Sequence, residues 1–112
     1  MHTHSTNATA VSILGHAIPA IHYVVAAAGG NSIPCAKYET FGTAELGQSI
    51  LTAMKGRRAC LLAHHGTIAA GATLAKAMSL SVTVEELATL YSRACRSARR
   101  RLFPTMKWNA CS

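Results

Sequence analysis

Acidic residues are the scarcest charge in this chain: four Asp and Glu stand against eleven Lys and Arg in 112 residues. That imbalance looks like a nucleic-acid signature until it is located. Residues 1–92 carry five cations and four acids, whereas residues 93–112 carry six cations and no acid. The body is therefore close to neutral and the basicity belongs to the tail, so the overall charge says little about what the body binds. Apolar runs are short. None reaches the roughly 18 residues of a membrane span. The N-terminus, Met1-His2-Thr3-His4, lacks the basic region and apolar stretch of a secretory leader. These absences point to the cytosol and argue against a membrane partner. Close cysteine pairs are missing as well. Cys35, Cys60, Cys95 and Cys111 form no CxxC, which argues against a disulfide framework and for buried small apolar side chains. Half of all residues are apolar and 13% are charged, which excludes a disordered chain; the length allows one domain.

The patterning alternates between strand and helix. Residues 6–14 predict a short helix, with Ser5 or Thr6 as N-cap, ended by Gly15 and Pro19. The β-branched and aromatic run at 18–25 predicts a strand, residues 29–32 (GGNS) a loop, and 33–38 a short extended piece. Thr43 caps a helix in which Leu46, Ile50, Leu51 and Met54 recur at helical spacing, closed by Lys55 and Gly56. The continuous apolar run 59–63 reads as a strand buried on both faces, and 67–71 as extended. The longest helix is predicted at 74–91, with Leu74, Ala77, Met78, Ser81, Val84, Ala88 and Tyr91 on one face and Leu80, Leu87 and Leu90 widening that apolar stripe. Helices and strands in alternation predict an α/β fold of three layers, a sheet covered by helices. From 93 onward the chain changes character. It loses its periodicity and is read as a separate basic, divergent tail.

Candidate chemistry rests on histidine. His2 and His4, two apart on an extended segment, project to one face and can share a metal ion. His64 and His65 end the buried strand, and alternation lets one of the two reach the same ion. On spacing alone, a solvated chain end is the preferred reading of HxH. His16 and His22 read as structural. Tyr23 and Tyr38 are possible general acids, though a hydrogen-bonded strand aromatic is the plainer reading. Residues 29–32 suit a turn better than a phosphate cradle. The arginines at 99–101 suit a solvated tail better than nucleic-acid contacts, because no aromatic platform accompanies them.

The ordered segments HTHSTNATAVS, AIPAIHYVVAAAGGNSIPCAKYETFGTAELG, LLAHHGTIAAG and LAKAMSLSVTVEELATLY, spanning His2 to about Tyr91, resemble the class II aldolase/adducin family. The resemblance implies an aldehyde-lyase that cleaves a sugar phosphate with zinc, and specifically L-fuculose 1-phosphate into dihydroxyacetone phosphate and L-lactaldehyde. It implies that His2, His4 and His65 bind the zinc. Tyr23 would reach a neighbouring subunit's site and protonate the alkoxide of the aldehyde product, and Phe41 would form the wall facing that aldehyde. It further implies a homotetramer with its site between subunits. The metal replaces the Schiff-base lysine of other aldolases, so Lys37, Lys55 and Lys76 need no catalytic role. The likeness covers the C-terminal part of the family domain. The phosphate-binding loops and a proton-shuttling glutamate of the family have no counterpart here, and Glu39, Glu45, Glu85 and Glu86 do not match that glutamate. The expectation is a truncated, poorly active form, a gene fragment with a recombined or frame-shifted end. Rival readings are a sugar-phosphate 4-epimerase of the same family and a non-catalytic adducin-like interaction domain.

Overall fold

A computed structural model describes residues 1–97. The elements run β1 (His2–Thr3), α1 (Thr6–Ser12), a 3-10 helix (Tyr23–Ala28), β2 (Cys35–Ala36), α2 (Ala44–Ala53), β3 (Ala59–Leu62), β4 (Gly66–Ala69) and α3 (Leu74–Ser97). The sheet order is β1-β4-β3-β2. Strands β1, β4 and β3 pair antiparallel, while β2 pairs parallel to β3 through the α2 crossover. The sheet is therefore mixed.

β3 is the centre of the three layers. All four of its residues, Ala-Cys-Leu-Leu, are buried, as an apolar run without alternation requires. Successive side chains point to opposite faces. Ala59 and Leu61 enter a large core with Val11, Ile18, Ile33, Val84, Leu87 and Tyr91. Cys60 and Leu62 enter a small one with Ala36, Ile50, Met54 and Ile68. Helices α1 and α3 and the 3-10 helix thus cover one face, and α2 the other. The predicted α/β layering is observed. Burial pushes the Cys60 thiol up to about 12, helped by Cys35 beside it, so it stays a protonated apolar group. Cys35 is a free thiol half-buried against the larger core. Cys95, half-buried there too, is disulfide-bonded, which corrects the expectation that the cysteines serve only as small apolar side chains; Cys111 lies outside the described residues, as do the arginines at 99–101.

Several local expectations differ from the structure. The strand expected at 18–25 is absent. Ile18 makes a single bridge to Ile33, and 23–28 coil into the 3-10 helix instead. Pro19 has no N–H for a ladder, the His22 Nδ1 accepts from Val24 N–H at 3.2 Å, and Gly29 stops the turn in the left-handed region at φ 95°. Local hydrogen bonding wins over β propensity. At α1, Ser5 is the N-cap residue but its side chain makes no cap bond. Glu85 of α3 does that work across the fold, accepting from Asn7 N–H at 3.1 Å, Ala8 N–H at 2.8 Å and Asn7 Nδ2 at 3.0 Å. The buried face of α3 is the centre of the expected stripe, and the stripe's margins, including Leu90, are exposed. Ala77, Leu80, Ser81, Val84, Leu87, Ala88 and Tyr91 are buried, while Leu74 and Met78 face outward. α3 also continues to Ser97, through Arg93 and Arg96. α2 begins where expected, with Thr43 Oγ1 accepting from Leu46 N–H at 3.3 Å, but Leu51 is exposed.

Candidate metal centre

Three histidines converge at one end of the sheet. His2 lies on β1, His4 directly follows it, and His65 lies in the turn joining β3 to β4. The ring centroids are 4.7 Å apart for His2 and His4, 4.8 Å for His2 and His65, and 5.0 Å for His4 and His65. One ring nitrogen from each lies within 4.8 Å of the others. Tertiary pairing creates this cluster. β1 docks on β4 with His2 opposite Ile68 and Thr3 opposite Thr67, which brings the first residues of the chain against the turn 60 residues later.

The donors are oriented as well as close. His2 Nδ1 lies 2.8 Å from the Thr67 carbonyl oxygen. A carbonyl only accepts, so Nδ1 carries the proton and Nε2 is left to face His4 Nε2, 2.9 Å away. A backbone acceptor on the far nitrogen is the usual outer-shell partner of a metal-binding imidazole. The Thr3 and Thr67 hydroxyls, 2.7 Å apart, hold the register on the opposite face. Burial lowers the His65 pKa, and the charges of His2 and His4 lower it further. The neutral imidazole is the form that ligates a metal. No carboxylate is part of the cluster among the described residues, and His2 and His4 are exposed. Three nitrogen donors with an open side match a catalytic rather than a closed structural zinc shell. The residues fit such an ion.

His64 does not join them. It takes a left-handed backbone at φ 59°, donates its N–H to the Ser12 carbonyl at 3.2 Å, and turns its ring toward Tyr38, with centroids 5.9 Å apart. That turn sends one histidine away and His65 inward. Gly66, not singled out from the sequence as a site residue, is required by contact. A Cβ there would run into the Thr3 carbonyl oxygen and come within 3.0 Å of the His4 ring. The histidine-glycine pair thus sets the His65 ring in the cluster and follows it with the gap that admits β1. No spacing rule reveals it.

Phe41, in the loop before α2, packs its ring edge-on at 5.9 Å from His65 while remaining 78% exposed. It therefore borders the open side of the cluster. Tyr23 does not reach the cluster within this chain. It stacks on His22 at 4.6 Å and is 84% exposed. His16 packs near Tyr91, at 6.2 Å.

A four-stranded mixed sheet covered by helices, with three histidines gathered at one hairpin, defines an α/β protein with a candidate metal centre, and comparison with known proteins narrows it. Residues 1–92 match the profile described as "Class II Aldolase and Adducin N-terminal domain". The chain belongs to that family. It is 58% identical over 91 residues to the L-fuculose phosphate aldolase of Escherichia coli K12, covering 81% of this chain and 42% of the relative. It is 54% identical over 104 residues to the 5-methylthioribulose-1-phosphate/5-deoxyribulose-1-phosphate aldolase of Rhodospirillum rubrum, covering 93% of this chain and 47% of the relative. A solved L-fuculose 1-phosphate aldolase superposes with a TM-score of 0.86 at 36% identity, covering 98% of this chain and 51% of that one. The chain spans less than half the length of these two curated relatives. No described helix is long and apolar enough to cross a membrane.

Proposed function

We propose that this chain carries the metal-binding part of an aldolase active site, for zinc-dependent retro-aldol cleavage of L-fuculose 1-phosphate to dihydroxyacetone phosphate and L-lactaldehyde. The observation that carries the proposal is the convergence of His2, His4 and His65, with His2 held by the Thr67 carbonyl. His2, His4 and His65 would hold a divalent ion, which when bound would supply Lewis acidity toward substrate oxygens. The protein's own groups do the rest. Phe41 walls the aldehyde side of the cluster. Tyr23 serves as proton donor to the leaving aldehyde oxygen in a neighbouring subunit, and its 84% exposure supports a phenol offered outward. That assignment makes the working protein an oligomer, a tetramer in this reading. Turnover by this chain alone is expected to be weak, since metal binding and phosphate capture are separate tasks and the cluster serves only the first.

A second substrate is favoured by one observation: the Rhodospirillum rubrum relative matches more of this chain than the fuculose-phosphate relative does. Methylthioribulose 1-phosphate and fuculose 1-phosphate are both ketose 1-phosphates, so the metal chemistry is common to them. They differ on the aldehyde side, where Phe41 stands. The test is zinc per chain on desalted protein beside His4→Ala and His65→Ala, followed by assay of dihydroxyacetone phosphate from each substrate. About one zinc, lost in both variants, is expected. Zinc content unchanged in His65→Ala would overturn the site assignment. Faster release from methylthioribulose 1-phosphate would replace the substrate. Epimerisation of ribulose 5-phosphate without cleavage would replace the reaction.

A further inference from the structure

The β3–β4 hairpin has a second end, remote from the histidines by the length of a four-residue strand, about 13 Å. A cleft of about 440 Å³ opens there, between the 3-10 helix, the start of β3, the end of β4 and the first turns of α3. Its walls include Arg58, Lys76, Ser79 and Thr83 around apolar Ala27 and Leu80. No carboxylate lines it. Two cations facing one cleft without an acid repel one another, and a bound anion relieves that repulsion.

The polar groups are presented rather than consumed. Arg58 is anchored by its backbone, donating N–H to Ala28 and accepting from Ala70 N–H at 2.8 Å. Its Nε–H donates to the Ala27 carbonyl at 3.1 Å. This fixes the guanidinium while its terminal nitrogens have no hydrogen bond among the described residues. Lys76 follows Thr73, whose Oγ1 accepts the Lys76 backbone N–H at 3.1 Å; its ammonium group is likewise unpaired among those residues. Thr83 donates its hydroxyl to the Ser79 carbonyl at 3.1 Å, so among the side chains lining the cleft the Ser79 hydroxyl is the neutral donor left over. Gly71 closes the cleft's edge. A Cβ there would lie 2.7 Å from Ala77 N, so only glycine lets the β4–α3 loop lie against the helix.

We propose that this cleft is a second anion site, taking phosphate or a small phosphate monoester between Arg58, Lys76 and Ser79. It is separate from the histidine cluster and does not depend on the aldolase reading. A guanidinium and an ammonium on one phosphate make charge-assisted hydrogen bonds that a neutral ligand cannot. Exposure keeps the affinity modest, with a dissociation constant on the order of 1 mM.

The test is equilibrium dialysis of EDTA-stripped full chain with radiolabelled inorganic phosphate at constant ionic strength. Expected is saturable binding of about one phosphate per chain, competed by glycerol phosphate. Lys76→Gln, on the exposed helix surface, weakens it about fivefold, and adding Arg58→Gln abolishes it. His65→Ala and Lys55→Gln leave it unchanged. Circular dichroism confirms the fold of each variant, and Lys76→Gln decides alone if Arg58→Gln unfolds the chain. Non-saturable uptake, or binding indifferent to Lys76→Gln, would overturn the proposal. So would binding lost only in His65→Ala.

Discussion

One face of the sheet, toward α1 and α3, gathers fourteen buried residues into a continuous core, whereas the face toward α2 has three, Ala36, Cys60 and Leu62, with partly buried neighbours. No residue of α2 itself is fully buried. The histidines follow the thinner side. His2 stands opposite Ile68, and Ile68 packs in the small core; residues paired across strands share a face. Phe41 arrives on that side from the loop before α2. The thick face holds the strands in register. The thin face leaves the histidine cluster open, with His2 and His4 exposed. Stability and access are divided between the two sides of a sheet one residue deep.

That division is sharpest when each side is emptied in turn. Leu61→Ala, on the thick side and fully buried, is expected to cost about 3 kcal/mol as transfer and cavity terms add. Urea denaturation measures it, and a cost below that of the α2 substitution given last would break the comparison. Gly66→Ala strikes where β1 meets β4. Its methyl meets the Thr3 carbonyl and the His4 ring, with an expected cost of about 2 kcal/mol from overpacking. Zinc affinity should fall alongside, and zinc titration of the folded variant reads this directly. Glu85→Gln should cost about 1 kcal/mol by weakening the bonds to Asn7 and Ala8.

Glu85 also carries a pH signature. Burial alone would raise its pKa, but the hydrogen bonds from Ala8, Asn7 N–H and the Asn7 side chain outweigh it and hold the carboxyl below the usual value. Its contribution is therefore complete above the ordinary glutamate pKa of about 4.3 and lost as pH falls through the lower native value. The stability gap between wild type and Glu85→Gln should close on acidification, and a gap independent of pH would remove the charged cap. The smallest effect belongs to Ile50→Ala on α2, about 1 kcal/mol, because that side chain is only partly buried.

Particular residues show how much was legible beforehand. The apolar run 59–63 announced the central strand because burial on both faces leaves no polar position. Thr43 announced α2 because a cap bond is local. The 18–25 segment misled because strand propensity is a statement about neighbours, and Pro19 and His22 removed the neighbours' ladder. Ser5 misled because a cap can come from 80 residues away. The outward turn of Leu74 and Met78 was hidden because the α3 stripe is wide and only packing selects its centre.

His2, His4 and His65 could be named from their segments, since HxH and the histidine-glycine pair lie in an ordered string of long motifs. Residue type and chain order carry the alternation of elements, the buried central strand and the candidate ligands. Tertiary structure alone decided which face of the sheet stays open, why position 66 admits no side chain, and which helix caps α1. Each of those depends on a strand or side chain arriving from far along the chain, and spacing in sequence contains no information about that approach.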